Sequence, residues 1–341
     1  VATRRPTADD IRRLFVGSPP RYTRGEVAAA AGLPLELTGR VWRALGFATL
    51  ADDAVAFSDG DVDALRRIRE MLDTGVLDER AIVRMARALG RTTSRLAEWQ
   101  AEIMMGAILD PGTRPSDEEL ARSMSIAARF LPDFEQTLVH VWRAQLAATA
   151  SRLLALTEMA EEQPATSRMS LAVGFADLVS FTAFSRRLDE LALADLVEGF
   201  ESRTSDVIAS HGGRLVKTLG DEVLFTTTAP VTAARIALDL VDELKRSTGR
   251  GEEGPDVRIG LSYGPVLPVM GDVFGTTVNL AARLTAIARP GAILADAEMA
   301  RGLEGADGVE VMRIRRRPAR GLGLVQPYVV RRTSPSAGRK A

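Results

Sequence analysis

The chain of 341 residues contains no cysteine, which excludes disulfides and thiolate zinc sites. It has only two histidines, His140 and His211, so a histidine-rich metal site is excluded too. Lysine is almost missing: of 44 basic residues only Lys217, Lys245 and Lys340 are lysines. Arginine is the default cation here, so a lysine inside a motif carries information. It offers a compact point charge where arginine offers a wide fork. No apolar run is long enough to span a bilayer, and the N-terminal stretch lacks the apolar core of a signal peptide. The expected location is the cytoplasm. A net charge of −1 gives no global pull toward nucleic acid or anionic lipid. The length allows two domains, and a hydrophobic content of 46% allows a well-buried core.

Two acidic stretches organise the chain. Val173-Gly174-Phe175-Ala176-Asp177-Leu178 reads as a buried strand that reaches an Asp near its end, with Phe181-Thr182 opening the next segment. Lys217-Thr218-Leu219-Gly220-Asp221-Glu222 enters a Gly-Asp turn and leaves it through Val223-Leu224-Phe225, a hairpin signal. Each Asp taken alone reads equally as a turn or cap residue. If the two strands lie side by side, however, Asp177 and Asp221 converge. Two carboxylates with no cation beside them in sequence are costly to hold together without an ion between them. Hard divalent ions such as Mg²⁺ take carboxylates plus the oxygens of a substrate phosphate. The pattern points to a metal-phosphate site.

The first half of the chain reads as helices. A short one is expected around Asp9–Phe15. Thr23-Arg24-Gly25-Glu26 has capping-box spacing ahead of Val27–Ala31, and Leu35–Leu45 is a second helix. With Phe47–Phe57 as a wing, this pair has the outline of a helix-turn-helix. Residues 1–165 hold 21 Arg against 24 Asp and Glu, a net −3, where a DNA reader would show a basic face. Further helices are expected at Asp59–Leu72, Asp78–Leu89, Thr93–Leu109, Ser116–Phe130 and from Pro132 to about Glu162. Met104, Met105, Ile108 and Leu109 form an apolar face that serves as core or as a groove for a partner helix or fatty chain. His140 reads as a packed histidine or as a pH sensor.

Domain limits are expected at 1–160 for the helical part, 161–170 for a linker, 171–332 for an alternating part and 333–341 for a disordered tail. The alternating part reads as strand Met169–Ala176, helices near Phe181–Leu188 and Leu193–His211, strands Arg214–Thr218 and Glu222–Thr227, and helix Ala229–Arg246. Strands Val257–Tyr263 and Val266–Met270, helix Thr276–Ala288, strand Ala292–Ala295, helix Ala297–Gly302 and strands near Val309–Arg315 and Gln326–Val330 complete it. That order suggests a mostly antiparallel sheet with helices on one face.

The two Asp segments resemble the signatures of the class III nucleotidyl cyclases. Gly271-Asp272-Val273-Phe274-Gly275-Thr276-Thr277-Val278-Asn279-Leu280-Ala281-Ala282-Arg283 is similar to the family's Asp-x-x-Gly-x-x-Val-Asn-x-Ala-x-Arg block, and Pro290-Gly291-Ala292-Ile293 and Arg320-Gly321 come after it in the family's order. The resemblance covers about residues 170–330. It implies an α+β catalytic domain of ferredoxin-like or palm type behind an all-α regulatory domain, and conversion of ATP to 3′,5′-cyclic AMP and pyrophosphate.

By resemblance, Asp177 and Asp221, with the backbone carbonyl of Leu178, hold two Mg²⁺ or Mn²⁺ ions per site. The backbone N–H groups near Phe181 and Thr182 meet phosphate oxygens. Lys217 and Asp272 read the base: adenine offers an acceptor at N1 and a donor at its 6-amino group, and a lysine donor with an Asp acceptor complements both. Asn279 orients the ribose, and Arg283, four residues on along the same helix face, neutralises charge on the α-phosphate. Arg320 stands where the family usually has a lysine on the terminal phosphates, which keeps the charge and changes its geometry. The family splits each site between subunits, so a homodimer is implied; the stimulus acting on the N-terminal domain stays open between a small molecule, a proton, a lipid and a protein partner. A diguanylate cyclase would need a Gly-Gly-Asp/Glu-Glu-Phe turn, which Leu219-Gly220-Asp221-Glu222-Val223 does not supply. A different class of reading is a non-catalytic nucleotide-binding regulator that uses Thr23–Leu45 on DNA.

Overall fold

The structure is a computed structural model that describes residues 5–108, 114–161, 169–179, 181, 185–247 and 256–333. The chain forms two compact units, Val1–Ser151 and Arg152–Ala341.

The first unit contains helices α1 (Ala8–Val16), α2 (Arg24–Ala31), α3 (Leu35–Ala44), α4 (Asp59–Asp73) and α5 (Glu79–Ile108), and most of α6 (Asp117–Glu161). Thr23 and Glu26 close the expected capping box: the Glu26 N–H donates to the Thr23 hydroxyl at 3.3 Å, and the Thr23 N–H to the Glu26 carboxylate at 2.8 Å. Val27, Leu37, Val41, Phe57, Leu65 and Ile82 form the core. The wing is a correction. Residues 47–57 form no hairpin; Phe57 instead bridges Tyr22, and Trp42 stacks on Phe47 at 4.4 Å. Helix α3 packs on α5, and Arg40 is paired with Glu79 at 3.0 Å, so the second helix of the pair is not a free basic face.

Two expected breaks are also absent. Helix α5 runs through Gly90, where a Cβ would lie 2.3 Å from the Leu45 carbonyl oxygen. The glycine permits a close helix contact there and does not end the helix. Thr92 and Thr93 return their hydroxyls to the carbonyls of Ala88 and Leu89, both at 2.9 Å. Helix α6 likewise continues through Pro132. His140 is exposed on α6 and is not a packed histidine. An apolar cavity of about 380 Å³ is lined by Phe15, Leu96, Trp99, Ile103, Met104 and Phe130. Of the expected groove residues Met104 lines it, Met105 is exposed, and Leu109 lies outside the described residues.

The second unit contains β1 (Ser170–Leu178), α7 (Glu190–Ser210), β2 (Arg214–Leu219), β3 (Glu222–Thr227), α8 (Pro230–Ser247), β4 (Val257–Pro265), β5 (Leu267–Val269), β6 (Asp272–Phe274), α9 (Thr276–Ile287), β7 (Ile293–Ala295), α10 (Ala297–Gly302), β8 (Val309–Arg313), β9 (Arg317–Ala319), β10 (Gly323–Val325) and β11 (Tyr328–Arg332). Seven strands pair in the order β2-β3-β1-β4-β7-β11-β8, antiparallel except for β4 with β7. Two hairpins, β5–β6 and β9–β10, stand outside this sheet. The fold is the expected α+β palm.

Helices cover both faces, which corrects the one-face expectation. Ala172, Ala176, Phe225 and Ile259 pack with Phe200 and Ile208 of α7 and Ile236 and Leu240 of α8. The alternate residues Leu171, Val173, Phe175 and Leu224 pack with Val278 and Ala281 of α9. Strand β1 is apolar without alternation because both its faces are buried. Helix α7 begins at Glu190, capped by Asp189, whose carboxylate accepts the Ala192 N–H at 2.8 Å. The expected helix at Phe181–Leu188 is not continuous among the described residues: Phe181 and Ser185 are helical, 186–188 form a turn and a bend, and 182–184 lie outside the described residues, as do most of the linker and the tail. Among the described residues no helix is long and apolar enough to cross a membrane.

Candidate active site

Asp177 is the penultimate residue of β1, an interior strand of the sheet. In register it stands between Glu222 of β3 and Arg258 of β4. The β2–β3 turn brings Asp221 to the same strand end: Gly220, at a φ of 68°, turns the chain, and the Leu178 N–H donates to the Asp221 carbonyl at 2.9 Å. The convergence expected of Asp177 and Asp221 is thus built by main-chain pairing.

The sequence had offered no cation beside these acids; the fold supplies one. Arg258 Nε donates to Asp177 Oδ2 at 2.6 Å, and Nη2 lies 2.5 Å from the same oxygen. Asp177 Oδ1 accepts no hydrogen bond from the described residues. Burial pushes the Asp177 carboxyl above the usual carboxylate range, Arg258 opposes this, and Asp221 adds to it. Glu222 is raised as well, first by burial and then by Asp177 and Asp221. Three acids therefore share one strand end, two of them reluctant to ionise. That donor chemistry fits a hard divalent cation. Among the described residues no three acidic or histidine side chains close into a metal cage. Two carboxylates suffice for an ion that also takes phosphate oxygens.

Lys217 and Asp272, 55 residues apart, meet directly: Nζ donates to Oδ2 at 2.6 Å. Their side chains are 34% and 26% exposed, and the Asp272 carboxylate also accepts the Val273 N–H at 2.8 Å. Asn279 and Arg283 both lie exposed on α9. Opposite them, Val278, Ala281 and Leu284 are buried. Arg320 is exposed in the β9–β10 turn. Phe181 packs against the sheet core, Leu178 is buried, and Thr182 lies outside the described residues. Sequence reasoning missed Arg258 and Glu222. The signal for Arg258 was a lone charge inside the apolar run Val257-Arg258-Ile259-Gly260-Leu261.

A family described as the adenylate and guanylate cyclase catalytic domain matches residues 164–331, and one described as the adenylate cyclase regulatory domain matches residues 7–149. The chain is 40% identical to an adenylate cyclase of Streptomyces coelicolor, over 98% of this chain and 92% of that one. An adenylate cyclase of Streptomyces griseus is 41% identical, over 87% of this chain and 72% of that one. An adenylate cyclase of Glutamicibacter nicotianae is 37% identical, over 95% of this chain and 82% of that one. With its acid pair at the end of a palm-type sheet and a helical unit ahead of it, the chain belongs to the class III nucleotidyl cyclases, among the adenylate cyclases that carry this regulatory domain.

Proposed function

We propose that the chain converts ATP to 3′,5′-cyclic AMP and pyrophosphate at two equivalent sites, each shared between two copies. The observation that carries the substrate choice is the Lys217–Asp272 pair. It sets an ammonium donor beside a carboxylate acceptor, the complement of adenine N1 and its 6-amino group. Guanine offers a donor at N1 and an acceptor at O6, so the same pair meets like with like. Each group left unpaired in the site costs about 1–3 kcal/mol.

Asp177 and Asp221, with the Leu178 carbonyl, would hold two Mg²⁺ or Mn²⁺ ions. When bound, these ions supply Lewis-acid activation of the ribose 3′-hydroxyl and neutralise phosphate charge. Asn279 orients the ribose so that its 3′-oxygen faces the α-phosphorus. The new O–P bond forms as the bond to the pyrophosphate oxygen breaks, and Arg283 stabilises the charge that grows on the α-phosphate. Arg320 grips the terminal phosphates with a planar fork. Backbone N–H groups near Phe181 and Thr182 meet phosphate oxygens. Pyrophosphate leaves, and the hydroxyl proton passes to water.

The exposure of Asn279 and Arg283 supports the shared site, because a second copy can cover them. The helical unit gates the reaction by setting how two catalytic units meet. A small molecule, a proton or a lipid acting on that unit is the input, and the apolar cavity beside Trp99 suits an apolar one. The enzyme works in the cytoplasm, where ATP is supplied.

The test mixes two inactive variants. Asp221→Ala and Arg283→Ala should each fail to make cyclic AMP with Mn²⁺. Mixed as subunits, they regenerate one intact site per heterodimer, and roughly a quarter of wild-type activity returns. Mixtures as inactive as the parents would sink the shared site. Undiminished cyclic AMP formation by Asp221→Ala would sink the metal assignment.

A further inference from the structure

Strand β2 carries an irregularity that the proposed chemistry leaves unused. Its register runs Arg214↔Thr226, Leu215↔Phe225 and then Lys217↔Leu224, so Val216 is an extra residue opposite no partner. In a regular strand, side chains three positions apart point to opposite faces. The bulge cancels one alternation and sends both Arg214 and Lys217 to the face shared by Leu224 and Thr226. The β5–β6 hairpin meets β2 on this side. Arg214 Nη2 donates to the Gly271 carbonyl at 2.5 Å, and Lys217 Nζ donates to the carboxylate of the very next residue, Asp272, at 2.6 Å.

That hairpin is anchored below by Val273, which is buried against α9, but its turn, Met270-Gly271, is exposed. Each strand is three residues long, and it pairs with no strand of the main sheet. Its two-residue turn, Met270-Gly271, has φ values of 52° and 82°, the pattern of a type I′ turn. Gly271 suits that geometry. Met270 does not: among the described residues it is the only non-glycine with a positive φ. A strained turn on a short ribbon needs an outside anchor. A charge-assisted bond to its carbonyl is a strong one.

We infer that Arg214 is a positioning residue for base selection: it fixes the β5–β6 hairpin through Gly271 and so holds the Asp272 carboxylate where, with Lys217, it reads adenine. The inference rests on the proposed base-reading role of Lys217 and Asp272. It adds that selectivity for ATP depends on a residue that touches neither base nor phosphate.

The experiment compares Arg214→Gln, Arg214→Lys, Asp272→Ala and the double variant Arg214→Gln/Met270→Gly in the full chain. It measures kcat/KM for ATP and GTP, binding of 3′-deoxy-ATP and 3′-deoxy-GTP, and the thermal midpoint. Arg214→Gln should lower the ATP-to-GTP ratio by about tenfold, mainly through weaker binding of the adenine nucleotide. Arg214→Lys should restore part of the ratio. Met270→Gly should restore part as well, because it relieves the turn that Arg214 had to hold. Equal losses for both nucleotides, or an unchanged ratio beside a collapsed one in Asp272→Ala, would overturn the positioning role and leave base reading intact. An unchanged ratio in Asp272→Ala would overturn base reading and this inference together.

Discussion

Both nitrogens that Arg258 directs at Asp177 converge on a single oxygen, Oδ2, while Oδ1 accepts no hydrogen bond from the described residues. The central acid of the site is thus half engaged by a protein cation and half available to an external one. On a divalent ion held there as proposed, Arg258 would have two opposed effects. It holds the carboxyl lower than burial alone would, and it places a competing positive charge beside it.

Replacing Arg258 with Gln separates these effects by pH. Without the guanidinium the Asp177 carboxyl rises further, so the acid limb of Mn²⁺ binding moves to higher pH. Well above that limb, where Asp177 is ionised in both proteins, the variant binds Mn²⁺ a few-fold more tightly because the competing cation is gone. A Mn²⁺ titration across pH should therefore give two curves that cross. Parallel curves would mean that Arg258 does not act through Asp177.

Gly260 of β4 lies directly beneath α9, the helix that carries Asn279 and Arg283. A Cβ at Gly260 would sit 2.3 Å from the Ala281 carbonyl oxygen and 2.4 Å from the Thr285 nitrogen, and backbone cannot swing aside as a side chain does. Gly260→Ala should destabilise the catalytic unit by about 2–3 kcal/mol. Where it still folds, displacement of α9 should cost at least about tenfold in kcat. Gly106 of α5 has open space around it. Gly106→Ala should stabilise its own unit by up to about 1 kcal/mol. Urea unfolding followed on each variant checks both signs.

These contacts show what a one-dimensional reading reaches. The Leu219-Gly220-Asp221 turn was legible because glycine at the first position of a two-residue hairpin is local chemistry. Lys217 and Asp272 were legible as motif members. Arg258 and Glu222 were not, because what brings them to Asp177 is strand register, a relation between residues 81 and 45 positions away. Arg214 was hidden by the bulge at Val216, since regular alternation would place it opposite Lys217. Gly90 fell in the gap between two expected helices, and Pro132 was read as the start of a new one. Packing against Leu45 turned Gly90 to another use, and α6 continues through Pro132 with Ala127, Phe130, Leu131 and Phe134 around the apolar cavity.

A second cluster tests electrostatics away from the site. Asp239 of α8 accepts from His211 Nε2 at 2.6 Å and from Arg332, which also donates to Asp242 at 2.8 Å. Burial pushes the Asp239 carboxyl up, but the bonds from His211 and Arg332 outweigh it and hold it below the usual range. A depressed carboxylate stabilises the fold above its unfolded pKa, and that gain is lost as pH falls through the folded value. Asp239→Asn should therefore cost about 1 kcal/mol near neutrality, allowing for solvent screening of a group one-third exposed. The gap to wild type should close at strongly acid pH. A gap of constant size would assign the effect to shape and not to charge.

Helix α6 carries an exposed apolar stripe. Leu138, Trp142 and Leu146 lie four residues apart, which places them along one stripe of the helix, and they are 38%, 60% and 55% exposed. An apolar stripe of this length is costly in water unless something covers it, and a second copy of α6 has the matching surface. Trp142→Asp with Leu146→Asp should weaken self-association of the full chain by about a hundredfold or more, read by sedimentation across concentration. Cyclic AMP formation at low protein concentration should fall with it if the site is shared as proposed, because such a site needs both copies. Residues 166–341 alone should cycle ATP with a different rate and pH profile from the full chain if the helical unit gates the reaction. Identical rate, pH profile and effector response in that fragment would show that the N-terminal helices do not govern catalysis.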